Sequence, residues 1–227
     1  VSPSPGPPPP ADEGPDLGTA GTSARREHDR RRANREARTR EKHPWFGGLL
    51  LSLRDEPTHE TAWARGAGGE ETVAACLAKR CDDSVVVLHD RSARRGKANI
   101  DHIALAPSGV YVIDTKRYQG KVSVAKPLFG SAKLVINGSD QTKLAVGVTR
   151  QVEAVRAAVN DIAPGVPVHG VLCFVDGDLP LLGTLSFAGH RLMYPRKLAK
   201  ALNSAGPVTP DETAGLVEHL LLSFPAA

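Results

Sequence analysis

The chain has 227 residues, 41% of them hydrophobic, and a formal net charge of +4. That is enough apolar material for one domain with its own core, and no apolar run reaches the ~18 residues a membrane span needs. Three cysteines, Cys76, Cys81 and Cys173, are an odd number without metal-type spacing, which argues against a disulfide framework and places the chain in a reducing cytoplasm.

Residues 1–24 are mostly Pro, Gly, Ser and Ala. They hold too few apolar side chains to offset the entropy of ordering and are expected to be disordered. They also lack the basic-then-apolar pattern of a secretory leader. Residues 25–42 carry nine Lys/Arg and four Asp/Glu, a net of +5. Because the whole chain is +4, the remainder is close to −1, so the basic character belongs to this segment. It reads as a solvated helix with acid–base pairs such as Glu36–Arg40. It either attaches loosely to phosphates or binds nothing. His43–Gly48 breaks it, and the apolar run Leu49–Leu53 is suited to docking on the domain or a partner. Residues 25–60 are therefore a basic helical or linker segment, and the domain proper spans 61–227.

Residues 67–80 read as a helix in which Glu70 shares a face with Val73, Ala74 and Leu77, so it points to the core side. Ser84–His89 is a buried strand. Arg91, Arg94, Arg95 and Lys97 then form a basic loop, either solvated or contacting the phosphates of a nucleic acid.

The stretch from Asn99 to Gly120 follows. Two strands, apolar on both faces (Ile100, Ile103, Leu105; Val110, Val112, Ile113), are joined at Pro107-Ser108-Gly109, a turn in which Pro presets φ and Gly accepts φ > 0. A two-residue loop there puts Asp101 directly opposite Asp114, with Lys116 on the face of Asp114. Two carboxylates about 5 Å apart repel by roughly 3 kcal/mol at an effective dielectric near 20. Lys116 offsets one charge, and a divalent cation with oxygen preference, Mg2+ or Mn2+, would offset the rest. The plainer reading is a structural Asp–Lys pair with the second Asp capping a strand end. Three ionisable residues on one face of apolar strands are hard to explain by packing alone. His102 points to the opposite face and reads as a hydrogen-bonded core histidine.

Lys121–Val124 and Lys133–Ile136 form a small hairpin ending at Asn137-Gly138. Residues 140–162 form the longest helix, with Ser139 as its N-cap. Its stripe runs Leu144, Val148, Gln151, Val155, Ala158, Ile162, and Gln151, the one polar member, needs a partner if buried. Val166–Val175 is another buried strand, and Asp176-Gly177-Asp178 reads as the turn that ends it. A short strand around Arg191–Met193 precedes C-terminal helices over 195–222. Thr209-Pro210-Asp211-Glu212 opens the last one as a capping box.

Three ordered motifs now stand together: Gly66-x-x-Gly69-Glu70, then Asn99-Ile100-Asp101-His102, then Gly109 to Lys116 ending in Asp114-Thr115-Lys116, with Gly120 beyond. This set resembles the NERD (nuclease-related) domain of the PD-(D/E)xK nuclease superfamily over about residues 64–175. Asp114 stands where that family more often has Glu. The resemblance implies an α/β fold, a restriction-endonuclease-like mixed sheet core flanked by helices. It also implies a Mg2+- (or Mn2+-) dependent nuclease hydrolysing phosphodiester bonds of DNA or RNA. Asp101, Asp114, the Thr115 carbonyl and Glu70 would hold the metal. Lys116 would hold the attacking water or stabilise charge on phosphate, and Gln151 would position the site from its helix. A homodimer would pair two sites, since one site cuts one strand at a time. The alternative is a non-catalytic nucleic-acid-binding or scaffold module that keeps the fold.

Overall fold

The computed structural model describes residues 15–42, 58–93, 99–127, 129–180 and 183–227. Five helices and ten strands are found among them, in the order α1 (Thr22–Lys42), α2 (Thr58–Arg80), β1 (Val86–Ser92), β2 (Asn99–Ala106), β3 (Gly109–Lys116), β4 (Gly120–Ala125), β5 (Lys133–Ile136), β6 (Ser139–Asp140), α3 (Lys143–Ile162), β7 (Val168–Phe174), β8 (Gly177–Asp178), β9 (Leu185–Phe187), β10 (His190–Met193), α4 (Pro195–Leu202) and α5 (Pro210–Ser223). The main sheet has the strand order β1-β2-β3-β7-β10-β9, and a small sheet has the order β6-β5-β4-β8.

β1, β2 and β3 form an antiparallel meander, whereas β7 runs parallel to both β3 and β10. A parallel neighbour needs a crossover. The chain makes it through β4–β6 and α3. One sheet face carries α2 and α4: Val73, Leu77, Leu198 and Leu202 pack with Ala104, Tyr111, Ile113 and Val171. The other carries α3 and α5: Val148, Val155, Leu216 and Leu220 pack with Leu105, Val110, Val112, Leu172 and Phe174. Burial on both faces is why β2, β3 and β7 are nearly continuous in apolar residues. The result is the expected mixed α/β core flanked by helices.

The β2–β3 turn is the two-residue loop expected at Pro107-Ser108, with pairing from Ala106↔Gly109 to His102↔Ile113. Gly109 has φ +128, and a Cβ there would lie 2.6 Å from the Pro167 carbonyl oxygen, so no other residue fits as well. The small hairpin pairs Val122 with Ile136 as expected. Asn137 and Gly138 both adopt positive φ at its end.

Three local expectations change. First, the long helix starts at Lys143 rather than residue 140. Ser139 and Asp140 are spent as β6 against β5, and Thr142 takes the N-cap position without a side-chain cap bond. Second, the buried stripe of α3 is Ala145, Val148, Val152, Val155 and Val159, while Ile162 is 47% exposed. The two stripes share Val148 and Val155, and the helix is rolled so that Val152 and Val159 face the sheet. Third, β1 runs on to Ser92, so Arg91 lies in a strand opposite Ile100 and not in the basic loop. It is 2% exposed, and its guanidinium donates to the Asp16 carbonyl at 2.5 Å. This corrects its assignment as an exposed phosphate contact. Arg94, Arg95 and Lys97 lie outside the described residues, as do the run Leu49–Leu53 and residues 1–14. Residues 15–24, the end of the segment expected to be disordered, lie against the domain: Leu17 O accepts from His89 N at 2.7 Å, and Ala20 and Ala24 are buried. Among the described residues no helix is long and apolar enough to cross a membrane.

Candidate active site

The site lies where β2 begins and β3 ends. Between the last ladder pair, His102↔Ile113, and the end of the hairpin, Asp101 and Asp114 come next on the two strands. The ladder stops there, and the Asp101 carboxylate takes over from the backbone, with Oδ2 accepting from Thr115 N at 2.7 Å. Asp114 is 9% exposed, and its Oδ1 accepts from Lys116 Nζ at 2.8 Å. The two residues of the D-x-K motif therefore pair along one face of β3, as their spacing requires.

Glu70 comes from α2. The glycines before it explain how the helix reaches the strand end. A Cβ on Gly69 would sit 3.3 Å from Thr115 Cγ2 and 3.4 Å from Arg117 Cβ, so α2 lies close against the end of β3 there and a side chain would ask its neighbours to give by a few tenths of an ångström. Gly66 lines a cleft of about 680 Å3 together with Thr115, Lys116, Arg117, Tyr118 and Asp176. The Gly-x-x-Gly-Glu motif is thus a close-approach device that sets Glu70 near the carboxylates and leaves the cleft open.

Electrostatics tie these groups together. Burial, then the charge of Asp90, push the Glu70 carboxyl from 4.5 up to about 7, with Asp114 adding to the rise and Gly21 N and Lys116 opposing it. Burial, then Asp114 and Glu70, hold the Asp101 carboxyl well above the usual range despite Lys116 and the Thr115 amide. Burial alone would pull the Lys116 ammonium down, but Asp114, then Asp101, outweigh it and hold it above its ordinary value. Near neutral pH the cluster is therefore rich in carboxyl groups that resist ionisation, a state that an added positive charge relieves.

Gln151 is half-buried, with its amide turned inward. Its Nε2 donates to Asn99 O at 2.9 Å, which holds β2 two residues before Asp101. Its Oε1 is buried without a protein partner, as is Thr115 Oγ1. Asp176 is spent on Arg117, at 2.8 Å, and Asp178 belongs to β8, consistent with a strand-end turn. His102 is fully buried, with Nδ1 2.9 Å from His89 Nδ1, and burial, then His89, lower it to about 3. Cys173 is a core residue whose thiol burial pushes up, and Cys76 is half-buried beside the same core.

Sequence reading missed two residues. Arg117, directly after the D-x-K motif, lines the cleft; its position was the signal. Asp90 is 3% exposed, and its charge raises Glu70. It falls between His89↔His102 and Arg91↔Ile100, so it stands across β1–β2 from Asp101. The acid ending the apolar run Ser84–His89 was the signal there.

Among the described residues, no group of three or more His, Cys, Asp or Glu side chains is placed to hold a metal ion. The search of the curated proteins and that of the solved structures each returned no match. Residues 65–175 match the family model of the nuclease-related domain, and Glu70, Asp101, Asp114, Lys116 and Gln151 all fall within that span. The Gly-x-x-Gly-Glu helix, the Asp101 strand and the Asp114-Thr115-Lys116 strand end meet at one place inside the matched region, and residues 65–175 of this chain are a member of the nuclease-related domain family.

Proposed function

We propose that the chain is a Mg2+-dependent nuclease that hydrolyses phosphodiester bonds of DNA or RNA. The observation that carries this reading is the convergence of Asp101, Asp114 and Lys116 at the end of β3, beside a cleft that Lys116 and Arg117 line. Buried carboxyls that resist ionisation are costly to keep in a mere binding surface, and a cation bound beside them would offset that cost.

The donor set fits Mg2+ or Mn2+: carboxylates of Asp101, Asp114 and Glu70 and the Thr115 carbonyl, all oxygen. A divalent cation held there supplies charge neutralisation at the phosphate and activation of the attacking water. Asp101 keeps one oxygen on the Thr115 amide, which fixes the strand end. Lys116, held charged by Asp114, stabilises negative charge developing on a phosphate oxygen. Glu70, raised by burial and by Asp90, would be ionised by a cation bound beside it. Gln151 keeps the Asp101 strand in register with the helix through Asn99. Arg117, exposed at the cleft, is placed to meet a phosphate of the substrate backbone.

A second reading, a nucleic-acid-binding or scaffold module, draws on the same site. Lys116 is already satisfied by Asp114 and Asp101 by Thr115 N, and among the described residues no group of three or more such side chains is placed to hold a metal ion. One experiment separates the two. The full chain is incubated with supercoiled plasmid, single-stranded DNA and RNA, with Mg2+ and with EDTA. Cleavage of at least one substrate that requires Mg2+ and falls on the order of 100-fold in both Asp101→Asn and Lys116→Ala supports the nuclease. Retention of nucleic acid with no cleavage, unchanged by either substitution, supports the module.

A further inference from the structure

A cavity of about 240 Å3 opens between α3 and the strands β7 and β10. Its β7 residues, Val168–Gly170, pair with Val110–Val112, towards the end of β3 opposite Asp114 and Lys116. None of its lining residues belongs to the candidate active site. Arg156 of α3, His169 of β7, and His190 and Arg191 of β10 bring four basic groups to it, and Glu153 brings one carboxylate.

The floor of the cavity is shaped around a histidine. His190 is 5% exposed, and its Nε2 lies 2.8 Å from Thr149 Oγ1. The Thr149 hydroxyl donates its one proton to Ala145 O at 2.8 Å, so it accepts from His190, and the imidazole proton sits on Nε2. Nδ1 is left buried without a protein partner, and a buried orphan of this kind calls for an explanation. Gly170 makes the room for it. A Cβ there would stand 2.1 Å from His190 Nδ1 and 2.9 Å from Val152 Cγ2, and a glycine inside a strand marks such a close approach. The two-residue loop between Phe187 and His190 also lines the cavity. Ala188 and Gly189 there have φ +51 and +81. Asn or Asp is the usual non-glycine residue in such a loop. Ala188 accepts the left-handed backbone and adds neither acid nor amide.

We propose that this cavity binds a phosphoryl dianion, either inorganic phosphate or the terminal phosphate of a nucleotide or nucleic acid. The site stands apart from the nuclease reading and holds or fails without it. Arg156 Nη2 donates to Val168 O at 3.2 Å, which uses one of five N–H donors, and Arg191 is exposed at the other side. Two planar forks from different elements suit an anion with several oxygens, and its two charges outweigh Glu153. The imidazoles supply charge more than hydrogen bonds, because His190 Nδ1 faces Gly170. Burial, then Arg156, lowers His190, with Asp114 opposing. Burial, then Arg191, lowers His169, with the Ser108 backbone opposing and Arg156 adding to the fall. An anion between the guanidinium groups relieves that repulsion and raises both histidines.

The test titrates the full chain with inorganic phosphate by calorimetry near neutral pH, in EDTA so that no metal bridges phosphate to the carboxylates of the active site. Histidine ring NMR signals are followed in parallel. One phosphate is expected to bind per chain, with the His169 and His190 signals moving and their titration midpoints rising. Arg191→Gln and Arg156→Gln are each expected to weaken binding about tenfold, and Glu153→Gln to tighten it. Should Arg156→Gln loosen the start of β7, the exposed positions Arg191 and Glu153 carry the test. A 5′-phosphorylated dinucleotide that binds more tightly than phosphate, while its unphosphorylated form does not bind, identifies a terminal phosphate as the ligand. Binding of phosphate without the dinucleotide identifies the free anion. No binding at millimolar phosphate, binding that Arg191→Gln leaves unchanged, or ring signals that stay still overturns the site.

Discussion

At the level of single residues, the site is defined by what each ionisable group already touches. Lys116 and Asp114 are bonded at 2.8 Å with side chains only 19% and 12% exposed, so neither charge is well hydrated. Removing one partner from such a pair is costlier than removing both. Lys116→Met is therefore expected to cost about 3 kcal/mol, and adding Asp114→Asn to recover most of it. Urea unfolding at pH 7 in EDTA checks this, and strictly additive effects would contradict the coupling. His102 gives a separate handle, away from the carboxylates. Its folded value near 3 lies below the ordinary 6.5, so the unfolded chain binds the extra proton between those limits and stability falls as pH drops from 6.5 towards 3. At about 1.4 kcal/mol per pH unit, the parent chain should lose on the order of 3 kcal/mol more than His102→Asn between pH 6.5 and 4. The comparison must be between variants. Glu70, raised from 4.5 to about 7, takes up its proton more readily in the fold and so adds stability as pH falls through 7 to 4.5. The opposed placement of Asp101 and Asp114 was legible from the turn at Pro107-Ser108 because strand pairing has a fixed period. The partners of their oxygens were not, because an Asp can satisfy its neighbour's amide, a lysine or an ion equally well by sequence.

At the level of elements, legibility followed the locality of the signal. The capping box at the last helix was readable because all its atoms lie within four residues. The Thr209 side chain accepts from Glu212 N, and Glu212 accepts from Thr209 N at 2.8 Å. Thr209→Ala should cost about 1 kcal/mol. Glu212→Ala made in that background should add little, since each half of the box depends on the other. Thermal unfolding of the two single variants and the double variant reads both numbers. The start of α3 was misread because two local signals overlap there. Ser139 has the chemistry of a cap, but the turn at Asn137-Gly138 pairs it with Ile136 of β5, and the hairpin claims it before the helix can. The α3 stripe shows the same limit. Val148 and Val155 belong to two overlapping apolar rows, and only the sheet decides between Val152 and Gln151. Gln151 ended at the margin of the buried row, where its amide could reach Asn99.

At the level of the whole molecule, the chain brings residues 16–18 and 225–227 to the same strand. β1 is an edge strand of the main sheet, and unpaired edges invite association with other chains. Leu17 covers its early half, and Pro225 O accepts from Ser92 N while Ala227 N donates to Asp90 O on its later half. Arg26 then donates to Ala227 O, which ties the start of α1 to the C-terminal segment. None of this was legible in the sequence, because the segments involved are short, rich in Gly and Pro, and without hydrophobic period. The burial of Arg91 follows from the same arrangement, since Asp16 in the N-terminal segment supplies its acceptor.

The charge distribution, by contrast, was legible, and it separates attachment from chemistry. Residues 25–42 carry a net +5 in a chain of +4, so the rest of the molecule offers a nucleic acid little overall attraction. Lys116 is committed to Asp114, and Arg117 to Asp176, at 2.8 Å each. On the nuclease reading, long-range attachment to phosphate therefore falls to α1 beyond its docked first turns, and the cleft acts only at short range. Replacing Arg35, Arg38 and Arg40 with Ala should then weaken duplex binding at every sequence. It should also flatten the slope of log affinity against log salt by about 0.9 for each phosphate that is no longer neutralised. Fluorescence anisotropy over a salt series measures the slope directly. An unchanged slope would move the attachment surface to the cleft, and Arg117→Ala would then be the substitution that flattens it.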